Sequence, residues 1–329
     1  MLRFCVAASL TVILAVSFAT PALATPPGSN GMIIWLREVV PNQSPPRMWV
    51  ANPDGSGARQ IFRGSARQAE LFGAFSPTEP NVVFFSRGPY PPRPFALDLY
   101  RGDLVTGTVT RVRGAKTEDI LPTVSPDGTR LAYVAVTPAR LAPDAPPPPG
   151  RIHVANIDGT GARAITPRVG LPDFPDWSPD GTRIVYTEAR VRGREFMNRL
   201  AVVNADGTGR RALTGYSRSR SDLGPKWTPD GQTIVFERLR ETGRRSAIMA
   251  MPSAGGSPRT IYDSPGWDTH PVPSPDGTRI AFSSDRDRRG RERQNAGVEV
   301  YTMAVDGSDV VRLTNNRSLD TLPNWQRLP

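Results

Sequence analysis

The chain reads as an all-β protein, a six-bladed β-propeller with four antiparallel strands per blade and a ring closed by its N- and C-terminal strands. Three observations predict this. One turn-and-strand motif recurs at a near-constant spacing, a second turn motif follows it in each repeat, and the two ends of the chain carry complementary parts of a single repeat.

The first motif, Ser125-Pro126-Asp127-Gly128-Thr129-Arg130-Leu131-Ala132-Tyr133, returns at Ser178–Tyr186, Thr228–Phe236 and Ser274–Phe282, with a degenerate copy over Ser76–Phe84. Steps of 49, 53, 50 and 46 residues separate the leading Ser or Thr, a period in the range of propeller blades. The second motif is clearest at Ile152–Gly161, Leu200–Gly209, Val300–Ser308 and Met48–Gly57, and weaker at Leu99–Gly107 and Ile248–Gly256. That makes six units.

Each unit reads as four short strands. In the fourth, Asp176-Trp177 ends strand one, Pro179-Asp180-Gly181 turns, and Arg183–Thr187 forms strand two. Arg199–Asn204 is strand three, Ala205-Asp206-Gly207 turns, and Arg210–Leu213 is strand four. Proline presets φ, aspartate bonds back to the backbone and glycine accepts a positive φ, so each turn has a mechanism. The 35 prolines and 30 glycines agree with so many turns, and four antiparallel strands per repeat of this length argue for a blade.

The ends supply the check. Asp320–Trp325 matches the Asp222–Trp227 segment that opens the fifth unit, yet no second strand follows it. Met32–Leu36 has the pattern of a second strand, and Arg47–Ile61 supplies the third and fourth. Together the termini complete one blade and remove the exposed edges of an open array.

These repeats resemble those of TolB and related exported propellers, whose repeat carries a Pro-Asp-Gly turn. The resemblance covers residues 31–327. It implies the fold and not the activity, because propellers host many functions. TolB itself has an additional N-terminal domain for which this sequence leaves no room, so its scaffold role is not carried over.

The N-terminus has the form of a secretory signal peptide: Arg3, an apolar run over Phe4–Ala19, Pro21, then Ala22-Leu23-Ala24. Cleavage after Ala24 is expected, giving a signal peptide at 1–24, a linker at 25–30 and one propeller domain at 31–329. The protein would then be periplasmic, envelope-associated or secreted, with no transmembrane segment. The alternative is a retained anchor, since Phe4–Ala24 is uncharged and long enough to span a bilayer. Cys5 is the only cysteine, so the mature chain would have no disulfide, thiolate nucleophile or cysteine-ligated metal.

Catalytic signatures are sparse. There is no Gly-x-Ser-x-Gly elbow and no phosphate loop. His153 alternates within a third strand and reads as a packed residue, whereas His270, before Pro271 at the entry to an inner strand, is a candidate ligand contact near the axis. Glu70, Asp119, Asp222, Asp268 and Asp320 stand six residues before the turn Ser or its equivalent, with Asp173 displaced by one. Closure of the ring would gather these acids near one mouth of the channel. One reading has them accept backbone N–H bonds in the blade crossings; the other is a Ca²⁺ site. No cofactor is otherwise expected.

Chain direction puts the loops between strands two and three on one face: Gly88–Ala96, Thr137–Gly150, Ala189–Asn198, Leu239–Ser246 and Ser284–Gly297. They are long and irregular, and variable loops on a rigid scaffold are where binding resides. The same face collects Arg192, Arg194, Arg244, Arg245, Arg289 and Arg291, the candidate binding residues, together with Arg218, Arg220, Arg240, Arg288 and Arg293. Such a face is either solvated surface or attractive to an anionic partner. Sparse aromatic interleaving argues against nucleic acid. Arg130, Arg183 and Arg279, beside the turns of the opposite face, read as surface positions. The run Pro138–Pro149 reads as an extended protrusion.

The expected function is that of a monomeric exported binding or scaffold protein of the cell envelope, recognising a protein or anionic ligand on the long-loop face. The alternative is a lyase or hydrolase acting on polysaccharide or peptide at the channel mouth.

Overall fold

The computed structural model describes residues 28–39, 44–90, 97–114, 117–137, 150–168, 171–192, 195–240, 245–287 and 297–328. The described residues form six four-stranded antiparallel sheets and no helix, hence none long and apolar enough to cross a membrane. Blade one is built from both termini: Leu319–Leu328 is its inner strand, followed outward by Ser29–Glu38, Arg47–Ala51 and Arg59–Gln60. The inner strands of blades two to six are Gln68–Phe75, Glu118–Val124, Leu171–Trp177, Arg220–Trp227 and Asp268–Pro273. Leu319–Leu328 packs on both the last and the first of the other inner strands, which closes the ring.

The closing ladder pairs Ile33 with Trp325, Ile34 with Asn324 and Leu36 with Thr321. It also begins earlier than the expected linker boundary, because Ser29 pairs with Leu328 and Asn30 with Arg327.

The Pro-Asp-Gly turns hold themselves. At Ser178, the hydroxyl accepts the Arg183 amide at 2.9 Å while Gly181 N donates to the Ser178 carbonyl at 2.8 Å and Thr182 N donates to Asp180 Oδ1 at 3.0 Å. The same bonds recur around Ser125, Thr228 and Ser274. In the second turns the glycine is a packing requirement as well. Gly307 has φ of 90°, and a Cβ there would come within 2.3 Å of the Ile261 carbonyl on the outer strand of the preceding blade.

The core lies between blades. Ile184, Tyr186, Ala201 and Val203 of blade four pack on Ala132, Ile152 and Val154 of blade three. Tryptophans at the inner-strand ends bind across this boundary: Trp177 Nε1 donates to the Thr123 carbonyl at 3.3 Å and Trp325 Nε1 to the Val272 carbonyl at 3.1 Å. Arg130 lies 4.7 Å over the Trp177 ring and Arg183 lies 4.8 Å over Trp227. These two arginines, together with Arg279, which bonds Asp309 at 2.7 Å, are half-buried partners rather than simple surface positions.

Two other local readings change. The stretch Ala189–Asn198, expected as an irregular loop, continues the ladder from Ala189↔Asn198 to Arg192↔Glu195. In blade two the turn after Ser76 is one residue longer than in blade three: Phe75 pairs with Val83 where Val124 pairs with Leu131, so Phe85, not Phe84, takes the place of Tyr133. The run Pro138–Pro149 lies outside the described residues.

The blade-one ladder shifts register between Asn30 and Ile33, and each of the six inner-strand ladders breaks once at an equivalent point further along. Within each break one residue is left-handed: Phe72, Leu121, Phe174, Gly224, His270 and Leu322, with φ between 49° and 60°. Proline follows it in five blades, at Pro122, Pro175, Pro225, Pro271 and Pro323. A proline has no N–H to give to a ladder, so within a sheet it belongs at such a bulge. These bulges aim six residues at the propeller axis.

Candidate functional site

The expected mouth acids are buried. Glu70, Asp119, Asp222, Asp268 and Asp320 are at most 1% exposed, at the starts of their inner strands. Their partners are mainly arginines. Arg87 bonds Glu70, Arg238 bonds Asp222 and Arg37 bonds Asp320, each at 2.6 Å, while Arg113 lies 3.3 Å from Asp119. Each guanidinium also stacks on an aromatic ring, as Arg37 does 4.1 Å from Trp49 and Arg87 5.3 Å from Phe85 and Tyr100. In blade six Asp268 accepts the Ser284 hydroxyl and the Ser264 amide, with Arg286 4.0 Å away among Tyr262, Phe282 and Tyr301. Burial still pushes Asp119 up to about 6 against the pull of Thr117 and Arg113.

Blade four departs from the pattern. Pro172 occupies the acid's register position, opposite Glu188, and Glu188 carries the carboxylate instead, bonding Arg199 at 2.7 Å, Arg210, and the Tyr216 hydroxyl at 3.0 Å. Asp173, one residue on, accepts the Phe174 amide at 3.1 Å, and burial raises it to about 6. The cation that most of these acids hold is therefore a guanidinium. Among the described residues no cluster of three or more His, Cys, Asp or Glu could hold a metal.

Of the candidate arginines, Arg194, Arg244, Arg289 and Arg291 lie outside the described residues. For Arg192 the backbone alone is described, paired with Glu195. Arg245 is exposed, and its carbonyl accepts the Arg240 amide at 3.4 Å. Arg240 stands opposite Arg220 in the blade-five ladder. Both are exposed, as is Arg218, and Arg240 bonds Asp263 at 2.8 Å.

At the axis, Phe72, Leu121, Phe174, His270 and Leu322 form an apolar collar, with Gly224 as its sixth member. The collar cavity has a volume of about 60 Å³ and is continuous with solvent. A second cavity shares Lys226, Val272 and Asn324 with it and runs on to Pro179, Pro229 and Pro275 of the Pro-Asp-Gly turns. The axial space thus opens toward the turn face.

His270 lines this cavity. Its ring meets Phe174 at 5.4 Å, and Nδ1 lies 3.1 Å from the Thr269 hydroxyl. Burial, with Lys226 nearby, pushes it down to about 4. Its amide donates to Glu237 Oε2 at 2.9 Å, the counterpart of the 3.0 Å bond from the Gly224 amide to Thr187 Oγ1. Glu237 is 5% exposed, and burial lifts it to about 7. Lys226 Nζ bonds Asp176 at 3.1 Å, and Asp176 also accepts the Trp227 amide at 2.9 Å. His153 is half-buried against Tyr133, at 5.6 Å, away from these groups.

Sequence reasoning missed Phe174, Gly224, Lys226 and Glu237. A signal for the first two was present: the residue before proline, two positions after each acid or its equivalent, recurs as Leu121, Phe174, Gly224, His270 and Leu322.

Several solved structures share the architecture. TolB from Acinetobacter baumannii superposes with a TM-score of 0.69 at 18% identity over 90% of this chain, which spans 66% of that protein's length. An oligogalacturonate lyase in complex with manganese gives 0.56 at 16% identity, covering 82% of this chain and 70% of its own. A puromycin-hydrolyzing peptidase of Mycobacterium tuberculosis gives 0.53 at 14% identity, covering 90% and 55%. At these identities the likeness concerns the fold. No curated protein sequence matches significantly. Residues 149–325, more than half of the chain, match the model of the TolB beta propeller domain, and the chain belongs to that family.

Proposed function

We propose that this chain is an exported binding or scaffold protein of the cell envelope, which recognises a protein or anionic envelope component on its long-loop face. The observation that carries this reading is the Arg220–Arg240 pair. Like charges directly opposite one another across a ladder are destabilising, yet both are exposed here, with Arg218 and Arg245 exposed beside them. A cationic cluster at the edge of a rigid blade raises the local concentration of anionic partners and speeds their encounter.

The test uses the mature protein immobilised against its own envelope extract, comparing wild type with R220E/R245E and with R59E/R259E on the outer strands. Loss of captured partner confined to the first variant, and shrinking as salt rises, is the expected result. Equal losses in both variants, or losses indifferent to salt, would overturn the reading. Export is tested separately by the intact mass of the native protein, which should lack residues 1–24.

A second reading, a lyase or hydrolase working at the axis, is favoured by His270 and Lys226 lining one cavity, with Asp176 bonded to Lys226 from the adjoining one. Release of unsaturated oligogalacturonides, or cleavage of aminoacyl substrates, abolished by His270→Ala, would support it.

A further inference from the structure

We propose that blade five carries a ligand slot at the propeller axis, built by Gly224 and Lys226 beside Phe174 and His270, which takes a carboxylate borne on a small apolar or flat body. This site is separate from the long-loop face and does not depend on the function proposed for it.

The slot begins with a missing side chain. Five of the six collar positions send a side chain toward the axis, whereas a Cβ on Gly224 would meet nothing within 4 Å. Backbone strain does not demand glycine there. Its φ of 56° falls within the 49° to 60° that Phe72, Leu121, Phe174, His270 and Leu322 adopt at the same bulge. What glycine contributes is therefore space, at a point framed by the rings of Phe174 and His270.

The far end of that space is charged. Lys226 lines both axial cavities and so stands at their junction. It is one of two lysines, with Lys116, in a chain whose 41 basic residues are otherwise all arginine. An ammonium group has three donors, and the Asp176 bond at 3.1 Å accounts for one. Asp176 is itself held by the Trp227 amide, which leaves it less dependent on Lys226 alone. Asn324 offers a neutral amide on the same wall, and the remaining lining is Phe, Leu, Pro and Val, with two glycines and the His270 ring. One cation among apolar walls, with a few convergent polar groups, is how a pocket orients a small amphipathic anion. The approach is from the turn face, through the second cavity.

The test is calorimetric titration of the mature protein with phenylacetate and its uncharged analogue phenylacetamide, and with N-acetylglycyl-phenylalanine and the amide of that peptide. Saturable binding of a carboxylate, about tenfold or more tighter than its amide, is expected from one charge-assisted hydrogen bond. Either carboxylate supports the site; which binds tighter tells whether a free acid or a peptide terminus is preferred. Lys226→Met should remove the discrimination between acid and amide. Gly224→Leu installs the residue type that blades one and three hold at this same left-handed position, so it should still fold, with a modestly lowered melting temperature from the positive φ, while abolishing binding. Equal binding of acid and amide, retained affinity in a folded Gly224→Leu, or no saturation by either carboxylate up to tens of millimolar would overturn the proposal.

Discussion

Ile33 pairs with Trp325 across the antiparallel ladder that joins the two ends of the propeller. The tryptophan is 5% exposed and packs with Ile33, Trp35 and Ala281, while its indole N–H reaches the Val272 carbonyl of blade six. One residue near the C-terminus thereby ties blade one to both of its own chain ends and to its neighbour.

Trp325→Ala should therefore destabilise the protein by about 3–5 kcal/mol, the range for emptying a buried tryptophan site. Deleting Leu319–Leu328 should do more, exposing a sheet edge and driving association. Urea denaturation and light scattering measure the two effects. An unchanged midpoint in the point variant would mean that ring closure does not rest on this residue.

Arg238 sits opposite Asp222 and bonds it at 2.6 Å, with the carboxylate 1% exposed. Arg238→Ala should cost about 3–5 kcal/mol, because it leaves a buried charge without its partner. The double variant Arg238→Met/Asp222→Leu should recover much of that loss. A single variant as stable as wild type in chemical denaturation would show that the pair is not a structural clamp.

Glu237 gives the stability a pH dependence of defined sign. Folding raises its carboxyl from 4.5 to about 7, chiefly through burial. The folded protein keeps this proton where the unfolded chain has released it, so the contribution is complete below about pH 4.5 and is lost as pH rises through 7. The amount is about 3 kcal/mol. Glu237→Gln keeps an acceptor for the His270 amide and removes the charge. It should be more stable than wild type at pH 8 and should flatten the slope between these limits in thermal melts taken across pH. A wild-type slope that survives in Glu237→Gln would assign the effect to another group.

Arg183 lies over the Trp227 ring of the next blade at 4.8 Å. Arg183→Gln should lower stability by about 1 kcal/mol, the scale of a partly desolvated cation–π contact, and should leave partner capture on the long-loop face intact. Reduced capture with unchanged stability would place this arginine in binding instead.

The sequence by itself determined the blade count, the strand order and the closure. Those features follow from short-range chemistry repeated about every 50 residues: Ser178, Asp180 and Gly181 make their turn from bonds spanning at most five residues. The orphan inner strand at Asp320–Trp325 also had one place to go, since only the N-terminal unit lacked one.

Only the tertiary structure decided what the acids and the axis do. The arginine that neutralises each acid comes from the second strand of the same blade in blades one, two and five, from the fourth strand of the preceding blade for the blade-three acid, and from beyond the end of the second strand in blade six. No fixed spacing encodes that choice, because several side chains reach the same buried point once the sheets twist together. Arg192, expected within the loop Ala189–Asn198, sits instead in a continuous ladder because blade four extends its hairpin. The axis is the extreme case. Gly224 looks like any glycine before a proline, and its meaning appears only when six segments meet at the bulge. Local bonds are fixed by neighbours in the chain, whereas a cavity is defined by the surfaces of residues far apart in it, and these are set by packing between blades.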